Sequence, residues 1–403
     1  MTVLSLAIDI LLGAQSLFIF LFAGYEYITL MHFPTLPSQK AAEPGRPYVS
    51  IVLPVRNQAK TVEACVSSLA HLDYVEKEII IVDGGSTDGT LDQISKYSDV
   101  VRIVEEDPLP VGWVGKNWAC NQGYQQAKGE LLLFTDGDSI HGFDSLARSV
   151  GYLQSEKADM VTLAPGTILR TFWEKVLQPP IFLLIMILVG GKLVNDDRRK
   201  NAIGNGQYML FTRAAYEKIG GHAAVKSNIV EDYNMARLVK RAGMRLRFVT
   251  GQDVLGVRMY ASLAEIWRGW RKNFYTVSDS HALSKALTRI VLMLAFLVLP
   301  FIILGYGIAQ ATTNPLNPFL LAGAFMSFFL WLGIIVLDRS INISLGYALL
   351  FPVAILIYVS IGIDATIRGA RGKGFDWKGR TYGKGIETQL DPTPVQPEII
   401  ASP

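Results

Sequence analysis

The chain has 403 residues, of which 50% are hydrophobic and 18% are charged. Soluble domains carry about 25% charged residues, so this composition excludes an ordinary soluble protein and predicts membrane-spanning segments. The formal net charge of +3 argues against a nucleic-acid-binding surface and fits a weak attraction to anionic lipid. Because the chain has only two cysteines, Cys65 and Cys120, we expect no disulfide framework and a reducing compartment.

Four apolar stretches are long enough to cross a bilayer. They cover residues 10–31, 289–310, 318–337 and 344–367. The first lacks a basic start and a small-residue cleavage site, so we interpret it as an anchor. A shorter apolar run at 180–190 suits a helix at the membrane interface.

Between the first and second apolar stretches the pattern alternates between short apolar strands and helices. Strands are predicted at 49–55, 78–82, 100–104, 131–134 and 159–164, which indicates an α/β fold with a mostly parallel sheet. We therefore divide the chain into four parts. They are an N-terminal anchor over 1–35, an α/β domain over 47–280, transmembrane or interfacial helices over 285–370, and a basic then Pro-rich tail over 371–403.

The basic residues that flank the membrane segments predict a multi-pass protein of the cell (inner) membrane with its α/β domain in the cytoplasm. They precede the second apolar stretch and follow the last one, so both regions are expected on the cytoplasmic side. Three full crossings between them would place them on opposite sides. One of the three is therefore expected to be re-entrant or interfacial, and the last, which contains Pro352, is the first candidate.

An acidic pair follows the fourth predicted strand. Asp136 and Asp138 come directly after an apolar run, and ligands bind beyond the carboxyl ends of strands in such sheets. Two carboxylates there suit Mg2+ or Mn2+, which would also contact a diphosphate. The alternative is a plain polar loop.

Polar residues also end the first two strands. Pro54 and Asn57 lie at the end of the first, and Asp83 ends the second. The Asp83 carboxylate could accept the ring N–H of a uracil-like base. A helix cap and turn, which Ser86 and Asp88 also suggest, is the alternative.

Further candidates lie at helix starts. Lys116 opens a helix, where it could stabilise phosphate charge or could simply be solvated. Glu231 and Asp232 begin an amphipathic helix; a carboxylate here could deprotonate an acceptor hydroxyl, with Asp232 the first choice and Glu231 the second. An ordinary acidic first turn is the alternative. Candidates for acceptor or diphosphate contacts are Gly206, Gln207, Arg268, Trp270, Arg271, Trp377 and Arg380.

In order along the chain, these motifs resemble those of the family 2 glycosyltransferases, which have the GT-A fold, a Rossmann-like α/β fold that binds nucleotide-diphospho-sugars. The resemblance covers about 47–274 and implies that Asn57 and Asp83 hold the nucleotide, that Asp136 and Asp138 bind the metal, and that Asp232 is the base. There are three departures. Gln58 stands where an acidic residue is common, and Gly84 replaces the second aspartate of the usual Asp-Asp-Gly-Ser. The segment 267–271 only approximates the Gln-x-x-Arg-Trp of processive polysaccharide synthases, which favours a single transfer.

Within that family the chain resembles the branch associated with carotenoids (4,4′-diaponeurosporenoate) and hopanoids. The residues that carry this resemblance lie at 112–123, 220–222 and 377–382. It implies that the tail folds back toward the active site.

These features predict an inverting, metal-dependent transfer of a hexose from a nucleotide-diphosphate sugar, expected to be a UDP-sugar, to a membrane lipid. The expected lipid is a carotenoid, a hopanoid or a glycerolipid. Two alternatives remain: a processive polysaccharide synthase and a catalytically inactive membrane scaffold. The sequence leaves the sugar, the acceptor and the oligomeric state open.

Overall fold

The computed structural model describes residues 3–31, 33–38, 46–189, 191–277, 283–341, 343–371, 375–377 and 380–382. The strands are β1 Val49–Val55, β2 Lys77–Asp83, β3 Arg102–Glu105, β4 Leu131–Phe134, β5 Ser139–His141, β6 Met160–Ala164, β7 Gly166–Thr167, β8 Met209–Thr212, β9 Leu246–Thr250, β10 Leu255–Val257, β11 Phe375–Trp377 and β12 Arg380–Tyr382.

The helices alternate with these strands and then follow them. They are α1 Val3–Met31, α2 Val62–Ala70, α3 Thr90–Ile94, α4 Gly115–Gln126, α5 Ser145–Ser155, α6 Phe172–Val189, α7 Gly191–Val194, α8 Arg213–Lys218, α9 Glu231–Arg241, α10 Leu263–Val277, α11 Leu283–Met293, α12 Leu299–Gln310, α13 Pro318–Ser340 and α14 Phe351–Ala370. A π-helical turn, Leu294–Val298, joins α11 to α12.

The central sheet has seven strands in the order β3-β2-β1-β4-β8-β6-β9. Strand β8 runs antiparallel to β4 and β6, and the other neighbouring pairs are parallel. The predicted α/β architecture with a mostly parallel sheet is therefore confirmed, with β8 as the exception. Two smaller sheets, β5-β10-β7 and β11-β12, complete the strand pairing of the described residues.

The sheet is covered on both faces, which explains why β1 is buried along its whole length. All seven of its residues are buried, and successive side chains point to opposite faces. Ile51 and Leu53 pack in one core with residues of α2 and α5. Val52 packs in the other core with residues of α4 and α9.

Four described helices are long and apolar enough to cross a membrane: Leu6–Tyr25, Ile290–Gln310, Pro318–Asp338 and Leu345–Ala370. They correspond to the four predicted stretches. The predicted interfacial run at 180–190 belongs to α6, which contains Pro179 and Pro180 and is not among these four.

Helices α6, α10 and α14 form one apolar cluster beside the α/β domain. Leu177, Trp270 and Tyr358 are buried there, and the Tyr358 hydroxyl donates a hydrogen bond of 2.8 Å to the Leu177 carbonyl. This cluster attaches the last membrane helix to the α/β domain.

Candidate active site

The carboxyl ends of β1, β2, β3 and β4 meet at one edge of the sheet, where they surround a cavity. Residues from each strand end line it, together with residues from the start of α4 and from the C-terminal hairpin. Among the residues singled out from the sequence, those that line it are Pro54, Lys116, Asp136 and Arg380. The rule that ligands bind beyond parallel strand ends thus locates this cavity.

The residues predicted to hold the nucleotide take part in hydrogen bonds within and between the loops that follow β1 and β2. Asp83 accepts hydrogen bonds from the Ser86 hydroxyl at 2.5 Å and from the Ser86 amide at 3.0 Å. Asn57 has a positive φ of 49°, and its side-chain oxygen accepts a hydrogen bond of 2.9 Å from the Thr87 amide. Both side chains therefore stabilise the loop that borders the cavity, as the turn alternative predicts.

A cluster of opposite charges lies at the other end of the cavity. The Lys116 ammonium is 2.6 Å from Asp136 Oδ1 and 2.7 Å from Glu231 Oε1. Burial lowers the pKa of Lys116, but the two carboxylates outweigh it and hold that pKa well above its usual value. A Cβ atom on Gly206 would lie 2.7 Å from the lysine nitrogen and 3.1 Å from Glu231 Oε1, so glycine at this position leaves room for the cluster.

Asp232 is partly buried beside this cluster. Its Oδ2 accepts a hydrogen bond of 3.0 Å from the Gly206 amide, and its Oδ1 accepts one of 2.7 Å from the Tyr233 amide. Burial, and then the neighbouring Glu231 carboxylate, raise the pKa of Asp232 to about 6. A carboxylate with this pKa is ionised at neutral pH and is a stronger base than a solvated aspartate.

Asp136 and Asp138 carry carboxylate oxygens, the type of ligand that Mg2+ and Mn2+ prefer. Gly137 between them is buried, and a Cβ atom there would overlap the Gln58 side chain. The described residues contain no group of three or more His, Cys, Asp or Glu residues that could hold a metal. Two carboxylates are the part of a metal site that these two residues could provide.

The other predicted contact residues are distributed around the site. Arg271 pairs with Asp364 of α14 at 3.2 Å, Trp270 packs edge-on against Tyr358, and Arg268 bonds within its own helix. Gln207 is buried behind Asp136, where its carbonyl accepts a hydrogen bond of 2.8 Å from the Thr135 hydroxyl. The side chain of Trp377 and the Pro-rich part of the tail lie outside the described residues.

The cavity is also lined by residues that were not selected as site residues from the sequence, among them Arg56, Glu106 and Tyr382. Glu106 follows β3 directly, so the strand-end rule that selected Asp83 and Asp136 would also have selected it. Arg56 lies between Pro54 and Asn57, and Tyr382 lies in the segment 377–382, but nothing in the spacing distinguishes them.

The mixed α/β sheet, with its polar edge beyond the parallel strand ends, has the GT-A fold. The structure is similar to that of the mannosyltransferase PcManGT from Pyrobaculum calidifontis, solved in complex with GDP-Man and Mn2+. The two have a TM-score of 0.51 and 20% sequence identity, over 90% of this chain and 98% of that one. Residues 50–220 match the family model for glycosyl transferase family 2. The chain therefore carries a family 2 glycosyltransferase domain.

The names of two curated relatives refer to lipid-like molecules. The chain is 22% identical over 238 residues (58% of this chain, 62% of the relative) to the 4,4′-diaponeurosporenoate glycosyltransferase of Staphylococcus haemolyticus. It is 28% identical over 195 residues (45% of this chain, 39% of the relative) to the beta-monoglucosyldiacylglycerol synthase of a Nostoc species. The matches therefore span less than two thirds of the length of each relative.

Proposed function

We propose that this protein is an inverting glycosyltransferase that moves a hexose from a nucleotide-diphosphate sugar, expected to be a UDP-sugar, to a membrane lipid. The observation that carries the proposal is the position of Asp232, whose pKa is raised to about 6, beside the Lys116–Asp136 pair. This pair lies at the edge of the cavity beyond the strand ends, which we call the donor cavity. A base and a diphosphate site side by side are what a direct displacement at a sugar carbon requires.

In this mechanism Asp232 takes the proton of the acceptor hydroxyl. The hydroxyl oxygen forms a bond to the anomeric carbon while the bond from that carbon to the diphosphate breaks. Lys116 donates hydrogen bonds to the departing diphosphate and offsets its charge. Asp136 and Asp138 would hold Mg2+ or Mn2+, which supplies further positive charge to the same leaving group.

The path to a lipid acceptor is suggested by Tyr260. This residue belongs to the apolar cluster of α6, α10 and α14. Burial, and then the carboxylates of Asp138 and Asp136, raise the pKa of its hydroxyl. The acidic site therefore adjoins the cluster that contains α14, one of the four helices apolar enough to cross a membrane, which supports a carotenoid, hopanoid or glycerolipid acceptor over a soluble one.

The test is a transfer assay with the full chain in detergent or nanodiscs. The protein is incubated with a panel of UDP- and GDP-sugars, Mg2+ or Mn2+, and a membrane lipid extract, and products are read by mass spectrometry. A single hexose added to a lipid, lost with a chelator and in Asp138→Ala but retained in Asp92→Ala, supports the proposal. Asp92 is an exposed carboxylate on α3 and is the matched control.

Two other results would reject the proposal. A ladder of hexoses would indicate a processive polysaccharide synthase. Absence of transfer and of sugar-nucleotide hydrolysis with every donor would indicate an inactive membrane scaffold.

A further inference from the structure

The C-terminal hairpin β11–β12 lies against the donor cavity. The Arg380 guanidinium donates hydrogen bonds to Glu106 Oε2 at 2.7 Å and to the Gly84 carbonyl at 3.4 Å. The Tyr382 side chain is buried, and its hydroxyl accepts a hydrogen bond of 3.4 Å from the Gly115 amide. A segment that follows the last membrane helix thus completes the wall of the cavity.

Glu106 has an unused acceptor inside this wall. Its side chain is 3% exposed. Arg380 occupies Oε2, whereas Oε1 is buried and has no hydrogen-bond partner among the described residues. A buried carboxylate oxygen without a donor is costly, so a ligand that offers an N–H or O–H group here gains affinity.

The order of the strands shows which part of a nucleotide would reach Glu106. Along the sheet edge, β3 and β4 are separated by β2 and β1, so Glu106 and Asp136 lie at opposite ends of the cavity. With the diphosphate at Asp136, the nucleoside lies at the Glu106 end.

Asp83 is poorly placed for the role of base acceptor that its motif implies. Both of its oxygens accept hydrogen bonds within the Gly85–Ser86 turn. Its neighbour Gly84 has no side chain, and a Cβ atom there would lie 2.9 Å from Glu106 Oε2. Glycine at 84, where the family commonly has an aspartate, therefore makes room for a carboxylate that comes from β3 instead of β2.

We propose that Glu106, held in place by Arg380, recognises the base of the nucleotide donor by accepting a ring N–H through Oε1. This inference rests on the proposed function, because it assigns a residue within the same donor site. Uracil carries such a group at N3 and guanine at N1, whereas cytosine N3 and adenine N1 present lone pairs that a carboxylate repels. A site built to accept an N–H discriminates strongly against an analogue that lacks it. Arg380 acts as a positioning residue.

The glycine that opens α4 supports this role of the hairpin. A Cβ atom on Gly115 would overlap the Arg380 guanidinium, so any larger residue there would displace the arginine from Glu106. The position of Arg380 thus depends on a close backbone approach that only glycine permits.

The experiment measures affinities of the full chain in detergent for UDP, CDP, GDP and ADP, each with Mn2+, by calorimetry. The wild type is expected to prefer UDP over CDP and GDP over ADP, and the larger of the two affinities identifies the base. In Glu106→Gln the ratio of the two affinities within the preferred pair, UDP to CDP or GDP to ADP, is expected to fall by about tenfold or more. The reason is that an amide can also donate to a ring lone pair. Arg380→Gln is expected to lower the same ratio. In the double variant the ratio is expected to fall no further than in the more strongly affected single variant, since both residues act through one group.

Arg102→Ala is the matched control. Arg102 and Glu78 form a pair of the same type at 3.1 Å, at the opposite end of β3 from Glu106, and the ratio is expected to stay unchanged. A ratio that is also unchanged in Glu106→Gln would overturn the inference while leaving the proposed function intact. Absence of nucleotide binding by the wild type would overturn both. If Glu106→Gln fails to fold, Glu106→Asp gives the same comparison with a shorter carboxylate.

Discussion

Lys116 Nζ lies 2.7 Å from Glu231 Oε1, so an ion pair connects the start of α4 to the start of α9. The same nitrogen is 2.6 Å from Asp136 Oδ1 at the end of β4. Glu231 is 4% exposed, and a carboxylate this deeply buried needs a compensating charge. Lys116 therefore holds together the two motifs that the proposed reaction needs.

Replacement of this lysine should reduce turnover strongly. We expect Lys116→Met to lower the transfer rate by about 100-fold or more, because the two carboxylates would repel each other and the leaving diphosphate would lose a donor. Initial rates at saturating donor measure this effect. Lys116→Arg, which keeps the charge, should recover part of the rate. Lys218→Met, at an exposed lysine on α8, should behave as wild type; the same rate in Lys116→Met would remove Lys116 from the mechanism.

The raised pKa of Asp232 predicts opposite effects of pH on activity and stability. A base acts only when ionised, so the rate should be level above the pKa of about 6 and fall about tenfold per pH unit below it. A carboxyl group whose folded-state pKa lies above its unfolded value favours folding at low pH. That contribution is lost as pH rises from about 3.9, the usual pKa of a solvated aspartate, toward about 6.

Asp232→Asn separates these two effects. The variant should lose transfer by about 1,000-fold while binding nucleotide nearly as well as wild type. Above pH 6 it should also be more stable than wild type, by about 1–3 kcal/mol, since the ionised form no longer has to be buried. Rates and thermal unfolding across the pH range test both points. A level rate profile, or equal stabilities at neutral pH, would contradict the assignment of Asp232 as base.

The contact between α12 and α13 predicts a contrast between two glycines. A Cβ atom on Gly307 would overlap the backbone of Leu320, whereas Gly305 has no atom within 4 Å of such a Cβ. We expect Gly307→Ala to lower the free energy of unfolding by about 1–3 kcal/mol. Gly305→Ala should be neutral or slightly stabilising, because alanine has the higher helix propensity. Thermal unfolding in detergent measures both, and equal midpoints would show that the helices are free to separate.

The sequence predicted those features that depend on local pattern. Apolar runs identified β1, β2 and β4, and the polar residues at strand ends led to Asp83, Asp136 and Asp138. Burial on both faces and the strand-end rule need no knowledge of distant residues. The four membrane helices followed from length and apolar composition.

Features that depend on contacts distant in sequence were not predictable in this way. Strand β8 runs antiparallel between β4 and β6, and the period-2 pattern of a strand is the same in both directions. Tyr382 meets Gly115 across 267 residues of sequence. Arg380 meets Glu106 across 274 residues of sequence.

The position of the hairpin also predicts the topology of the membrane helices. Because Arg380 contacts Glu106, residue 380 lies on the same side of the membrane as the catalytic domain. Gly307 and Gly323 bring α12 and α13 together as an antiparallel hairpin, which accounts for one crossing in each direction. Helix α14 should therefore begin and end on the catalytic side and lie along α6 and α10 at the interface.

Single cysteines at exposed positions test this arrangement in sealed vesicles with a membrane-impermeant maleimide. Thr312, between α12 and α13, and Ser344, before α14, are both exposed. We expect Ser344→Cys to react from the side of the catalytic domain and Thr312→Cys from the opposite side. Wild-type protein is the background control: Cys65 and Cys120 are buried, and burial raises the pKa of both thiols, so neither should react. Reaction of Ser344→Cys from the far side would mean that α14 crosses the membrane and that α12 and α13 do not both cross it.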